Sequence, residues 1–143
     1  MKVRPPVGTY LAPSFERARV RDAMHPGVLT ATADTPLITV AQQMAGEHVH
    51  AIVVSGAGDR RPWTVVTDRD VLRYADRVEE LTAGEAATAT LLEVQPDDRV
   101  ADVAERMLEH GATHVLVVEP ETDRPIGVAS TLDIAWIVAW GRG

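Results

Sequence analysis

Shifted along itself by 63 positions (133 minus 70), the 143-residue chain matches itself. Thr67-Asp68-Arg69-Asp70 falls on Ser130-Thr131-Leu132-Asp133, Asp34 on Asp97, Val40-Ala41 on Val103-Ala104 and Met44 on Met107. Val54 meets Val117, and Arg61-Pro62 meets Arg124-Pro125, with no insertion or deletion. Roughly a fifth of the aligned positions are identical and most of the rest keep their polarity, which marks an internal duplication. Two copies of one unit are expected to give a pseudo-twofold body with two equivalent clefts.

Each copy carries the same order of periodic segments. In the first, Val28 to Thr32 reads as a strand, with Thr35 as N-cap and Pro36 opening a helix. Leu37, Val40, Ala41 and Met44 then recur at the spacing of a core-facing helical stripe. His50 to Ser55 is a continuous apolar run, the pattern of a strand covered on both faces. A loop over 55–62 leads to a strand at Trp63–Val66 and a helix from Asp68 to about Arg77. The second copy gives strand Leu91–Gln95 and a helix from Asp98 with Val100, Val103, Ala104 and Met107. Strand His114–Glu119, loop Pro120–Pro125, strand Ile126–Ala129 and a helix to Trp140 complete it. The fold class is α/β (α+β), β-α-β-β-α twice: a crossover between parallel strands, then a hairpin. The divisions are an arm over 1–19, with a short helix across Ser14–Met24 leading into repeat one at 20–77. A linker at 78–82, repeat two at 83–140 and a tail at 141–143 follow, with a short helix in 78–90.

The bulk properties exclude several classes of function. A net charge of −7 and a pI near 5.1 argue against a general nucleic-acid or anionic-membrane surface. There is no cysteine, hence no disulfide, thiolate nucleophile or zinc–thiolate site. The stretch Met1 to Pro13 has no apolar core of signal-peptide length, and Ile134–Trp140 is too short to span a bilayer. A cytoplasmic location is the expectation. No Ser-His-Asp set, Walker loop, dinucleotide glycine fingerprint or pair of catalytic acids can be assembled, so no enzyme is expected. His48, His50, His110 and His114 match no familiar metal spacing, and no metal is expected.

The duplication, together with Val65-Val66-Thr67-Asp68-Arg69-Asp70-Val71-Leu72 and the similar Ile126-Gly127-Val128-Ala129-Ser130-Thr131-Leu132-Asp133, resembles the tandem cystathionine β-synthase (CBS) domain pair, or Bateman module. The resemblance covers about residues 20–140. It implies a flat pseudo-symmetric pair whose two clefts hold adenine nucleotides or related adenosyl compounds, and a disc-shaped homodimer of pairs.

The chemistry of the motif admits two readings. Thr67-x-x-Asp70 and Ser130-x-x-Asp133 satisfy a capping box, in which hydroxyl and carboxylate serve the helix start. The same corner presents amides to an anion, and a carboxylate can accept both hydroxyls of a vicinal diol. The resemblance assigns ribose to Asp70 and Asp133 and phosphate to Thr67 and Ser130. Arg69 is either a phosphate fork or an exposed helix-start residue, and its counterpart Leu132 cannot bind phosphate, so the clefts should differ in charge preference. By resemblance, His50, Thr113 and His114 stand against phosphates, and Leu29, Ala51 and Leu92 line the adenine together with His114. The family's proline after these positions is replaced by Val53 and Leu116, and Thr64 stands where repeat two has Gly127.

Trp136, Ile137 and Trp140 form either core or a dimer seam. The leading reading is a non-catalytic regulatory module binding AMP, ADP, ATP or S-adenosylmethionine in one or both inter-repeat clefts, with no required cofactor. Its partners would be that ligand, a second copy and an unidentified protein target, with no nucleic acid or membrane. The alternative is a ligand-free dimerising scaffold.

Overall fold

The computed structural model describes residues 12–56, 60–87 and 89–142. The tip of the loop at 57–59 and the arm's first 11 residues lie outside them. The elements are α1 (Val20–Ala23), β1 (His25–Pro26), β2 (Thr30–Thr32), α2 (Leu37–Glu47), β3 (Ala51–Gly56), β4 (Arg60–Thr67) and α3 (Asp68–Arg73). They continue as α4 (Ala83–Ala86), β5 (Ala89–Thr90), β6 (Leu92–Val94), α5 (Val100–His110), β7 (His114–Glu119), β8 (Arg124–Ser130) and α6 (Thr131–Trp140). The protein is thus a mixed α+β chain with two repeated units.

The chain forms two compact units, one of Val28–Leu91 and one of residues 12–27 with 92–142. The first has a sheet ordered β2-β3-β4-β5, the second β1-β8-β7-β6. In each, a parallel pair precedes an antiparallel hairpin: β2 with β3 and β3 with β4, then β6 with β7 and β7 with β8. The duplication holds to the register. Ala51 pairs with Thr67 as His114 pairs with Ser130, and both hairpins shift register after Val54 or its counterpart Val117. The spatial units are offset from the sequence repeats. α1 and β1, which open repeat one, join the sheet of repeat two through His25↔Val128 and Pro26↔Gly127. β5 joins the sheet of repeat one through Thr64↔Thr90 and Val65↔Ala89.

This exchange explains where the helices differ from their expected starts. The helix expected across Ser14–Met24 is confined to Val20–Ala23, because Arg19 is extended and bridges Arg99. Val20 donates to the Asp98 carbonyl at 2.8 Å, and Val100 to the Ala18 carbonyl at 3.0 Å. Residues 14–18 form only a turn, closed onto the Ser14 carbonyl. Pro36 makes the equivalent bridge to Thr82, so it is the N-cap and α2 begins at Leu37 rather than at the proline. α5 begins at Val100 instead of Asp98 for the same reason, with Arg99 extended as its N-cap. α3 stops at Arg73, where Tyr74 leaves the helical region, and Ala75–Arg77 continue as a 3-10 turn.

Each unit has its own core. One holds Leu37, Val40, Met44, Ile52, Val54, Val66, Leu81, Ala83 and Ala86. The other holds Ala18, Val20, Val94, Val100, Val103, Met107, Val115, Val117, Ala129, Ile134 and Ile137. The expected stripes are buried at Leu37, Val40 and Met44 and at Val100, Val103 and Met107, with Ala41 and Ala104 half-buried. Ile52–Ser55 and Val115–Val118 are buried at every position, as continuous apolar strands require. Trp136 packs partly buried against the second core, and Trp140 is half-buried. The exposed large side chains of α6 are Leu132 and Val138.

Candidate functional site

The strand-to-helix corners form the same way in both units. Strand β4 ends at Thr67, which is extended and caps α3; β8 ends at Ser130, which caps α6. Asp70 N–H donates to Thr67 Oγ1 at 3.4 Å, while Thr67 N–H and Oγ1–H donate to Asp70 Oδ2 at 2.9 and 3.2 Å. The second corner repeats this, with Asp133 N–H to Ser130 Oγ at 3.2 Å and Ser130 N–H and Oγ–H to Asp133 Oδ2 at 2.8 and 3.0 Å. The next amide of each helix is tied to the preceding strand: Asp68 N–H to the His50 carbonyl at 2.9 Å, Thr131 N–H to the Thr113 carbonyl at 3.0 Å. The capping role read from the sequence is therefore realised twice. It occupies one carboxylate oxygen and leaves the other turned away from the cap.

That second oxygen has different neighbours in the two corners. Arg73 Nη1 reaches Asp70 Oδ1 at 3.5 Å, from one turn along the same helix. His25 Nε2 meets Asp133 Oδ1 at 2.7 Å, from the exchanged strand β1. Asp70 is 4% exposed, and the Asp133 side chain is 17% exposed. Both carboxylates are shielded enough for a hydrogen bond to outweigh one made in bulk water.

The other sequence-predicted residues fall around the corners. His50 directly precedes β3 and is exposed, with Nδ1 3.1 Å from Asp68 Oδ2; Ala51 opens β3 and is half-buried. Thr113 directly precedes β7 and is exposed, and its Oγ1 lies 3.0 Å from Nδ1 of the half-buried His114, which opens that strand opposite Ser130. Arg69 is exposed and has no ion pair or hydrogen bond among the described residues. Leu29, just before β2, is half-buried and its carbonyl accepts from Val53 N–H at 3.0 Å; Leu92, also half-buried, opens β6. Three neighbours were missing from the sequence reading: Arg73, Asp68 and His25. The i+3 spacing could have flagged Arg73. His25 lies 108 residues from its partner, and no local pattern points to it.

Among the described residues, no group of three or more His, Cys, Asp or Glu side chains is placed to hold a metal ion. No helix among them is long and apolar enough to cross a membrane.

A family model described as CBS domain matches residues 20–77 and again 83–139. No curated protein matches the chain. Among solved structures, Hypoxic Response Protein I, with two coordinated zinc ions, is 25% identical with a TM-score of 0.66, over 83% of this chain and 98% of that one. The CBS domain protein PAE2072 from Pyrobaculum aerophilum, complexed with AMP, is 24% identical with a TM-score of 0.70, over 85% and 98%. The CBS domain pair of protein MJ0100, in complex with 5′-methylthioadenosine and S-adenosyl-L-methionine, is 18% identical with a TM-score of 0.70, over 84% and 98%.

Proposed function

The chain belongs to the CBS domain family, and from that premise we propose that it is a non-catalytic regulatory module that binds an adenosyl ligand at one or both strand-to-helix corners. The observation that carries this reading is the repeated carboxylate, shielded from solvent and held by the same cap at the strand-to-helix corner of both units. Solved relatives of the same fold hold AMP, 5′-methylthioadenosine and S-adenosyl-L-methionine. In this chain Asp70 and Asp133 take the ribose, with Thr67 and Ser130 beside them. His50, Arg69, Thr113 and His114 face the phosphate or its substitute, and Leu29, Ala51, Leu92 and His114 lie against the base. A ligand regulates by binding one shape of the protein better than another, and its effect is limited to that difference.

Calorimetry with AMP tests this. Asp70→Ala and Asp133→Ala should each weaken binding about tenfold to a hundredfold, the value of a hydrogen bond to a charged group. AMP at 100 times its dissociation constant should stabilise the native protein by roughly 2.7 kcal/mol in a thermal scan. Unaltered affinity in both variants would overturn the assignment.

The second reading, a ligand-free dimerising scaffold, is favoured by the exposed Leu132 and Val138 on α6. Light scattering at twice 15.5 kDa, with no thermal response to AMP or S-adenosylmethionine, would select it.

A further inference from the structure

His25 stands outside every motif in the sequence, yet it contacts the carboxylate proposed to hold ribose. We infer that His25 sets the sugar specificity of the Ser130 corner by competing with a cis-diol for Asp133; this rests on the ribose role proposed for Asp133. The inference comes from counting lone pairs. Asp133 Oδ2 already accepts two hydrogen bonds, from Ser130 N–H and Oγ–H. A carboxylate oxygen has two acceptor sites, so Oδ2 has none left. Oδ1 accepts from His25 Nε2 at 2.7 Å, which leaves it one. A single hydroxyl can take that site with His25 in place. Two hydroxyls of a ribose need both sites on Oδ1, so the imidazole must leave.

The backbone holds His25 at this post while its side chain stays free to swing. Pro26 confines the preceding residue to extended geometry, and β1 is clamped to β8 through His25↔Val128 and Pro26↔Gly127. Gly127 permits the approach, since a Cβ there would lie 2.7 Å from the His25 carbonyl oxygen. The His25 side chain itself is 78% exposed. Displacing it therefore breaks one hydrogen bond without moving a strand. At the 63-residue offset His25 aligns with Thr88 of repeat two, which has no imidazole.

The experiment uses the full chain carrying Asp70→Asn, so that the Ser130 corner dominates binding, titrated with adenosine and with 2′-deoxyadenosine. His25→Ala should tighten adenosine about tenfold, as expected when a competing hydrogen bond to a charged group is removed, and leave 2′-deoxyadenosine unchanged. His25→Gln, which keeps an N–H donor, should behave as the parent, and His25→Ser replaces the alanine variant if that one misfolds. No change, or an equal change for both ligands, overturns the role of His25. The ribose reading survives that result if Asp133→Asn still weakens adenosine binding. Adenosine affinity indifferent to Asp133→Asn, or no adenosine binding at all, removes both.

Discussion

Around Asp70 the flanking positions are His50, Asp68, Arg69 and Arg73; around Asp133 the same positions are Thr113, Thr131, Leu132 and Trp136. The inner hydrogen bonds of the two corners agree within a few tenths of an ångström, but every charged or titratable neighbour in the first is neutral in the second. Duplication has kept what the backbone needs, a cap for a helix that starts at a strand end. Under the proposed function the Thr67 corner would favour a phosphorylated adenosine, since Arg69 is exposed there and unpaired among the described residues. The Ser130 corner presents Leu132 there, and under the same proposal it would favour a neutral or internally balanced adenosyl compound.

The largest test of the equivalence concerns the cores. Met44 and Met107 sit at matching positions and both are buried. Met44→Ala and Met107→Ala should each destabilise by about 2–5 kcal/mol in urea unfolding. A much smaller loss for one would show that its core relaxes where the other cannot.

The C-caps of the long helices offer a subtler break. His48 ends α2 with φ 56° and Gly111 ends α5 with φ 63°, at equivalent positions. The left-handed region suits glycine and strains any residue with a Cβ. His48→Gly should therefore raise stability by about 1 kcal/mol, and Gly111→Ala should lower it by a similar amount. Calorimetric melting of both variants reads the difference directly, and a destabilised His48→Gly protein would mean that the imidazole has a compensating contact.

Arg69 and Leu132 sharpen the charge contrast. Exposed ion pairs contribute about 0.2–1 kcal/mol, so Arg69→Leu should weaken AMP about twofold to fivefold and leave adenosine unaffected. Leu132→Arg should confer a comparable AMP preference on the other corner. Titrations at low and at high salt check the assignment, because only the phosphate-dependent part should fade with salt.

The smallest effect is at the start of α4. The Thr82 backbone N–H, and then its hydroxyl, hold the Glu85 carboxyl below its ordinary value. A depressed native value stabilises the fold above the unfolded-state value, and that contribution is lost as the pH falls through the native one. Glu85 is fully exposed, so the effect is slight. Glu85→Gln should flatten the acid limb of the stability profile and leave the neutral region nearly unchanged. An acid limb identical to that of the parent would show that the capping contact does not survive in solution.

Local pattern sufficed for much of this architecture. The 63-residue offset determined that there are two units of one topology, and the stripes at Leu37, Val40, Met44 and Val100, Val103, Met107 determined which helix faces are buried. The capping boxes at Thr67–Asp70 and Ser130–Asp133 were readable because their partners lie three residues apart. The exchange of α1–β1 and β5 between repeat units was not readable, because a two-residue strand carries almost no period and its partner is chosen by tertiary pairing. The same pairing moved the starts of α2 and α5, since Pro36 and Arg99 form bridges instead of first helical turns. It also brought His25 to Asp133. Periodicity reports neighbours within a few turns or one strand, whereas that contact exists only after strand β1 has docked on β8, and docking depends on the packing of the whole unit.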